Sequence, residues 1–152
     1  VSTQNSALRN VLVVDDEESA RYVLKRLLSE LPIQVAEAAS GAEGIRMAAE
    51  QQPDMIFLDL KMPGMSGWTV LHSLKGDPAT RDIPVIIITS EMPRPDEQAE
   101  IERTAQGLIR KNDLTAKALE QVLQAGRNFR YARNTSEENR RAQDSRKTKP
   151  DA

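Results

Sequence analysis

The feature that most constrains the fold is a regular alternation between short apolar runs and longer segments with helical periodicity. The apolar runs are continuous and rich in β-branched residues, which is typical of strands buried on both faces of a parallel sheet. Five strands are predicted, at residues 11–14, 33–37, 55–58, 85–88 and 107–110.

Helical segments separate these runs. In the first, from Ser19 to Pro32, one apolar stripe is formed by Ala20, Val23, Leu24, Leu27, Leu28 and Leu31. Ser40 and Glu43 form a capping-box signature for the second helix, which extends to about Gln51. A third follows a Pro-Gly loop, a weak fourth covers residues 96–104, and the last begins near Asp113. Strands alternating with helices predict an α/β fold, with a parallel sheet wrapped by helices on both faces.

Charge divides the chain unevenly. Residues 1–126 carry 13 basic and 19 acidic side chains, a net charge of −6, whereas residues 127–152 carry 8 and 4, a net charge of +4. We therefore expect a polar leader at residues 1–7, one domain at residues 8–126 and a basic extension at residues 127–152. From Asn134 the extension is polar, so we expect an exposed helix or disorder there.

Composition excludes several classes of protein. The chain has no cysteine, which rules out disulfides, thiolate metal sites and cysteine nucleophiles. No apolar run approaches the roughly 20 residues that span a bilayer, so we expect no membrane contact and a cytoplasmic location. The arginines of the extension are diluted by acidic residues, so we expect a solvated linker or helical extension there and no nucleic-acid partner. Phe129 and Tyr131 favour a partner or dimer contact.

Polar residues follow the predicted strands at the edge where parallel sheets bind ligands. Asp15 and Asp16 follow the first strand, Asp59 the third, Thr89 the fourth and Lys111 the fifth. Three carboxylates on one edge repel one another unless a cation lies between them, and hard oxygen ligands suit Mg²⁺. A hydroxyl and an ammonium beside them suit phosphoryl oxygens. The set predicts phosphoryl transfer, with an aspartate as the covalent acceptor.

Three segments carry a family resemblance: residues 11–18, 57–67 and 86–90. They resemble the receiver domains of response regulators in two-component signalling, and the resemblance covers about residues 8–126. It implies a flavodoxin-like, doubly wound, five-stranded parallel sheet with the strand order 2-1-3-4-5.

The resemblance also implies a role for each residue at the sheet edge. Asp59 matches the phosphoacceptor, Thr89 the switch hydroxyl and Lys111 the residue that pairs with the phosphoryl oxygens. The cofactor is Mg²⁺, and its implied protein ligands are Asp59, Asp16, Asp15 acting through water, and the backbone carbonyl of Lys61. Lys61 and Glu91 match two variable rim positions that tune the lifetime of the acyl phosphate.

Two residues depart from the family pattern. In the family, a proline joined by a cis peptide bond follows the conserved lysine, whereas here Asn112 follows Lys111. A cis bond before a residue other than proline costs about 3 kcal/mol. Leu108 stands where the family has an aromatic side chain that rotates with the switch hydroxyl. An aliphatic side chain cannot make that rotation, so we expect phosphorylation to change the face near Thr89 without a change of aromatic rotamer.

The resemblance implies a phosphorelay receiver that accepts a phosphoryl group from a histidine kinase or a histidine phosphotransfer protein. Such a module catalyses its own phosphorylation and dephosphorylation but is not an enzyme in the turnover sense. His72, the only histidine, lacks a kinase-like context, so the donor belongs to another chain or to a longer parent. The start without Met and the polar tail favour the C-terminal receiver of a hybrid histidine kinase over a stand-alone regulator or a receiver cut from a larger regulator, and a homodimer is left open.

Two alternatives remain. A receiver that binds partners without phosphorylation would have lost its affinity for Mg²⁺. A Mg²⁺-dependent phosphohydrolase with an aspartyl-phosphate intermediate would resemble enzymes that carry Asp-x-Asp after the first strand. Here Asp15 and Asp16 are adjacent, which disfavours the hydrolase.

Overall fold

The computed structural model describes residues 8–124 and 130–132, which form a parallel sheet with helices on both faces. The strand order is β2-β1-β3-β4-β5-β6, and every pairing is parallel. The predicted order of the first five strands, 2-1-3-4-5, is therefore confirmed. The strands are β1 Asn10–Val14, β2 Gln34–Ala38, β3 Met55–Asp59, β4 Val85–Thr89, β5 Gly107–Arg110 and β6 Arg130–Ala132.

Five α-helices connect the six described strands. They are α1 Glu18–Leu28, α2 Gly41–Gln51, α3 Gly67–Gly76, α4 Pro95–Thr104 and α5 Ala116–Gln124. Ser40 caps α2 as predicted, because its Oγ accepts from the N–H of Glu43 at 3.2 Å and the Glu43 carboxylate accepts from the N–H of Ala39 at 2.8 Å. Within the described residues, no helix reaches the length and hydropathy that a bilayer crossing requires.

The two faces of the sheet carry separate hydrophobic cores, because alternate residues of a strand point to opposite sides. Leu12, Ile56, Ile87 and Leu108 pack on the side of α2, α3 and α4. Val13, Phe57, Ile86 and Ile109 pack on the side of α1 and α5. Every residue of β3 and β4 is buried, which agrees with the continuous apolar runs in the sequence.

The first helix differs from its prediction. Helix α1 ends at Leu28, and Leu31 is 37% exposed after it. Pro32 is the physical reason, since a proline disfavours the helical conformation of the residue before it and the chain leaves the helix early. Val23, predicted within the apolar stripe, is 47% exposed, because the core on this side of the sheet covers the narrower stripe of Leu24, Leu27 and Leu28.

The C-terminal part of the chain adds two findings. The last helix begins at Ala116, and Asp113 belongs instead to a short 3₁₀ turn, Lys111–Asp113. Beyond α5, the three residues of β6 pair in parallel with Gly107–Ile109, so a sixth strand lies where the sequence predicted only an extension. The predictions for residues 1–7, Phe129 and Asn134 onward lie outside the described residues, and no side chain of β6 is described.

Candidate phosphoryl-transfer site

Three aspartates meet at the carboxyl edge of the sheet. One oxygen from each of Asp15, Asp16 and Asp59 lies within 4.8 Å of the other two. Asp59 is the last residue of β3, and Asp15 and Asp16 directly follow β1, its neighbour in the sheet. Asp59 is 3% and Asp15 4% exposed, whereas Asp16 is half-buried. The sheet thus holds two buried carboxylates together with a more accessible third.

The chain after Asp59 folds back tightly against it. The N–H of Lys61 donates to Oδ1 of Asp59 at 3.3 Å, and the N–H of Gly67 donates to the carbonyl of Leu60 at 3.0 Å. A Cβ atom at Gly67 would lie 2.1 Å from the backbone oxygen of Asp59, so only glycine fits this approach. This loop fixes the backbone of Lys61 beside the Asp59 carboxylate.

Lys111 reaches the same group of carboxylates from the end of β5. Its Nζ lies 3.0 Å from Oδ2 of Asp15 and 3.6 Å from Oδ2 of Asp59. It also lies 3.1 Å from Oε1 of Glu17, the residue before α1. One ammonium therefore faces three carboxylates, and the structure brings Lys111 to the place predicted from the sequence.

Thr89 ends β4, the strand next to β3, and is 3% exposed. Its Oγ1 accepts from the N–H of Glu91 at 3.4 Å. Oε2 of Glu91 pairs with Nζ of Lys61 at 2.5 Å, and both of these side chains are largely exposed. The two rim positions therefore form an ion pair that links the loop after Asp59 to the loop after Thr89.

The electrostatics follow from this crowding. Burial, and next the negative charge of Asp15, raise the pKa of Asp59 to about 6, although the positive charge of Lys111 and the N–H of Lys61 lower it. Burial lowers the pKa of Lys111, but the hydrogen bond and charge of Asp15, the charge of Asp59 and the hydrogen bond to Glu17 outweigh it and raise the pKa overall. The ammonium stays charged, and Asp59 carries a cost for being ionised.

The three aspartates fit a small divalent cation. Their donor atoms are carboxylate oxygens, the ligands that Mg²⁺ prefers, and no thiol or imidazole competes within this group. Oxygens held by one Mg²⁺ at 2.0–2.1 Å are up to about 4.2 Å apart, so a spacing of up to 4.8 Å needs only a small adjustment. A cation there would also relieve the repulsion that raises the pKa of Asp59.

Sequence reasoning missed three residues that support the site. Arg21 on α1 donates from Nη1 to the backbone oxygen of Asp15 at 2.8 Å, and its Nε lies 3.0 Å from Oε1 of Glu37. Glu37, at the end of β2, also pairs with Lys25 at 3.2 Å, and the hydrogen bond from Lys25 is the largest cause of its lowered pKa. Glu17, the third residue, contacts Lys111. A usable signal was the run of four acidic residues after β1, with a basic residue one helical turn further on.

Three further residues were singled out in the sequence: His72, Leu108 and Asn112. His72 lies on α3, is mostly exposed and contacts Glu100 of α4. Leu108 is fully buried in the core on the side of α2, α3 and α4. Asn112 lies in the 3₁₀ turn after β5, and none of the peptide bonds within residues 8–124 and 130–132 is cis.

An open cavity of about 120 Å³ lies beside the acidic group, between α1 and the end of β5. Asp15, Asp59 and Lys111 stand at its polar end. Its remaining walls are apolar and come from Val13, Val14, Ala20, Val23, Leu24, Phe57, Ile88 and Leu114. The cavity leads from solvent to the otherwise buried Asp59 carboxylate.

The sheet order, the acidic group and the lysine define a doubly wound α/β domain with a candidate phosphoryl-transfer site, and comparison with known proteins identifies its family. The family model described as response regulator receiver domain matches residues 11–124, so the chain belongs to this family. Receivers of this family interact with histidine kinases or phosphotransfer proteins, and they bind Mg²⁺ at an acidic aspartate cluster.

Relatives in sequence and in structure agree. The chain is 42% identical over 101 residues to the response regulator PleD of Caulobacter vibrioides, an alignment that spans 66% of this chain and 22% of PleD. It is 34% identical over 84 residues to the protein PilH of Pseudomonas aeruginosa, spanning 55% of this chain and 69% of PilH. The solved structure of the chemotaxis protein CheY4 of Vibrio cholerae matches with a TM-score of 0.69 and 28% identity, covering 78% of this chain and 98% of that one.

Proposed function

We propose that this chain is a phosphorelay receiver in which Asp59 accepts a phosphoryl group in a Mg²⁺-dependent reaction. The observation that carries the proposal is the buried carboxylate of Asp59, within 4.8 Å of Asp15 and Asp16 and 3.6 Å from the ammonium of Lys111. Two buried carboxylates with a third beside them cost free energy, and such a group is kept where a cation and an anionic substrate use it.

Each residue has a distinct part in this proposal. Asp16, Asp59 and the backbone carbonyl of Lys61 would hold Mg²⁺ directly, and Asp15 would act through water. When bound, the cation neutralises charge on the phosphoryl oxygens as they approach the carboxylates. Lys111 pairs with a phosphoryl oxygen from the other side.

The transfer forms one bond and breaks one. A carboxylate oxygen of Asp59 attacks phosphorus in line with the donor bond, and the electron pair of the breaking P–N bond stays with the imidazole of the donor. The pKa of Asp59, about 6, leaves its carboxylate mostly ionised at neutral pH and therefore nucleophilic. A phosphohistidine on a partner protein reaches Asp59 through the cavity beside α1.

Phosphorylation then changes a binding surface. The new phosphoryl oxygens draw the hydroxyl of Thr89 toward Asp59, and the N–H of Glu91, 3.4 Å from that hydroxyl, follows. The loop between β4 and α4 moves with it, which biases an equilibrium between two arrangements of this face. Leu108, fully buried, takes no part by rotation.

The proposal extends to the context of the chain. Residues 8–126 form the receiver, residues 1–7 a leader and residues 127–152 an extension, of which β6 packs along the receiver sheet. The partner is a histidine kinase or a histidine phosphotransfer protein, and the exchange takes place in the cytoplasm.

The experiment is the intact mass of the protein after incubation with a small acyl-phosphate donor, with Mg²⁺ or with a chelator. Wild type is compared with Asp59→Asn and with Asp82→Asn, which makes the same change at an exposed position. We expect one phosphoryl adduct in wild type and in Asp82→Asn, only with Mg²⁺, and none in Asp59→Asn.

Other outcomes contradict the proposal. An adduct that persists in Asp59→Asn would place the acceptor elsewhere, and an adduct that forms equally in chelator would remove the role of the cation. If no adduct forms in wild type, a Mg²⁺ titration decides the matter. Absence of binding would then indicate a receiver that works without phosphorylation.

A further inference from the structure

Glu17 connects the start of α1 to the end of β5. Its backbone N–H donates to Oδ1 of Asp15 at 2.9 Å, and its Oε1 accepts from Nζ of Lys111 at 3.1 Å. The Glu17 side chain is 61% exposed, whereas that of Lys111 is 19% exposed. Glu17 is the N-cap residue of α1, but its side chain makes no capping hydrogen bond, so its carboxylate is available for Lys111.

The ammonium of Lys111 contacts three carboxylates that have different roles in the proposed reaction. Asp15 and Asp59, at 3.0 and 3.6 Å, also belong to the proposed cation group. A divalent cation at these two carboxylates repels the ammonium and takes up the charge that attracts it. Glu17 lies outside the cation group and is the third carboxylate within reach of the ammonium.

We propose that Glu17 is a positioning residue for Lys111. While the cation occupies the acidic group, Glu17 holds the ammonium at the rim, and from there Lys111 transfers to the phosphoryl oxygens when the donor arrives. Glu17 touches neither the cation nor the phosphoryl group, and it acts only through Lys111. This inference rests on the proposed function, since it assigns a part in the same reaction.

The consequence is a rate effect with a definite sign. Without the Glu17 carboxylate, the ammonium must be ordered at the moment of reaction, so Glu17→Gln slows adduct formation. An exposed ion pair is worth about 0.2–1 kcal/mol, which corresponds to roughly a 1.4- to fivefold change in rate. Loss of one negative charge would by itself favour an anionic donor, so the two effects have opposite signs.

Glu18 offers a matched control. It is the next residue, it is acidic and exposed, and no contact with Lys111 is seen among the described residues. Glu18→Gln removes the same charge from the same turn and therefore measures the effect of net charge alone. Glu17→Asp keeps a carboxylate on a shorter side chain, and we expect it to recover part of the rate.

The experiment measures the initial rate of adduct formation by intact mass at saturating Mg²⁺ in wild type, Glu17→Gln, Glu18→Gln and Glu17→Asp. We expect Glu17→Gln to be slower than Glu18→Gln and Glu17→Asp to lie between Glu17→Gln and wild type. In a Lys111→Met background, followed over hours, Glu17→Gln should cause no further slowing. Urea unfolding of each variant shows that the fold is intact.

Three results would overturn the inference while leaving the proposed function in place. Equal rates for Glu17→Gln and Glu18→Gln would show that Glu17 affects the rate only through its contribution to the net charge. No recovery in Glu17→Asp would show that a carboxylate there is not what matters. Further slowing in the Lys111→Met background would mean that Glu17 acts by another route. Absence of both an adduct and Mg²⁺ binding in wild type would instead contradict the proposed function itself.

Discussion

The raised pKa of Asp59 leads to a prediction about stability. Asp59 has a pKa of about 6 in the folded chain, against an ordinary value of 3.8. A difference of about two units corresponds to about 3 kcal/mol, at 1.36 kcal/mol per unit. Ionised Asp59 therefore destabilises the native state by about 3 kcal/mol when no cation is present.

The pH dependence has a definite sign. Between about pH 4 and pH 6 the native state binds more protons at Asp59 than the unfolded state does, so the contribution of Asp59 to stability improves as the pH falls through this window. Above about pH 6 the whole penalty is present, and below about pH 4 it has gone. Asp59→Asn removes the charge at every pH, so the variant should be more stable than wild type by about 3 kcal/mol at pH 7.5 and by almost nothing near pH 4.

The assay is urea unfolding in chelator, followed by the fluorescence of Trp68, the only tryptophan of the chain. Asp82→Asn serves as the control, because an exposed change of this kind stays within about 0.5 kcal/mol. Added Mg²⁺ should stabilise wild type, by about 2.7 kcal/mol at a hundred times the dissociation constant, and should stabilise Asp59→Asn much less. The reasoning fails if Asp59→Asn is no more stable than wild type at pH 7.5, or if the gap is as large at pH 4.

Two further predictions concern the frame of the site. Gly67→Ala should lower the free energy of unfolding in urea by about 2–3 kcal/mol, because the new Cβ would lie 2.1 Å from the backbone oxygen of Asp59. Gly76→Ala, which has open space around it, should not lower this free energy. Equal effects of the two changes would refute the prediction. Thr80→Val should lower the free energy of unfolding by about 1–2 kcal/mol, because the buried hydroxyl of Thr80 donates to the carbonyl of Leu74 at 2.7 Å. Thr80→Ser keeps the hydroxyl and should retain most of that stability. A larger loss in Thr80→Ser than in Thr80→Val would contradict this role of the hydroxyl.

The fold and the polar edge of the sheet could be predicted because they depend on local patterns. A continuous apolar run such as residues 85–88 has few places to go except the middle of a parallel sheet, and the polar residue that ends it must then lie at the carboxyl edge. Asp59 and Thr89 follow from this rule alone. Lys111 follows less directly, since a lysine after a strand is common on any surface.

The contacts among the charged side chains could not be predicted from the sequence. Glu17 and Lys111 are 94 positions apart, and only the fold brings the end of β5 to the start of α1. The link between Arg21 and Glu37 similarly needs the packing of α1 against the end of β2. Charge patterns within one helix are readable because the spacing is fixed, but pairs across elements depend on tertiary distances.

The sixth strand was missed for a different reason. Residues 130–132 are only three, and they lie in a segment that is rich in arginine and whose composition favours exposure. Their pairing depends on β5 offering a free edge, a property of the assembled sheet rather than of the segment.

Strand β6 changes what the end of this sheet can do. Backbone groups of Gly107–Ile109 that would otherwise be open on the outer side of β5 face β6, so a partner cannot add a strand directly to β5. Leu108 lies in the middle of this pairing, between β4 and β6, and is fully buried. Strand β5, which lies beside the strand that ends at Thr89, is therefore paired with a strand on each side. We therefore expect phosphorylation to displace the loop between β4 and α4 rather than β5.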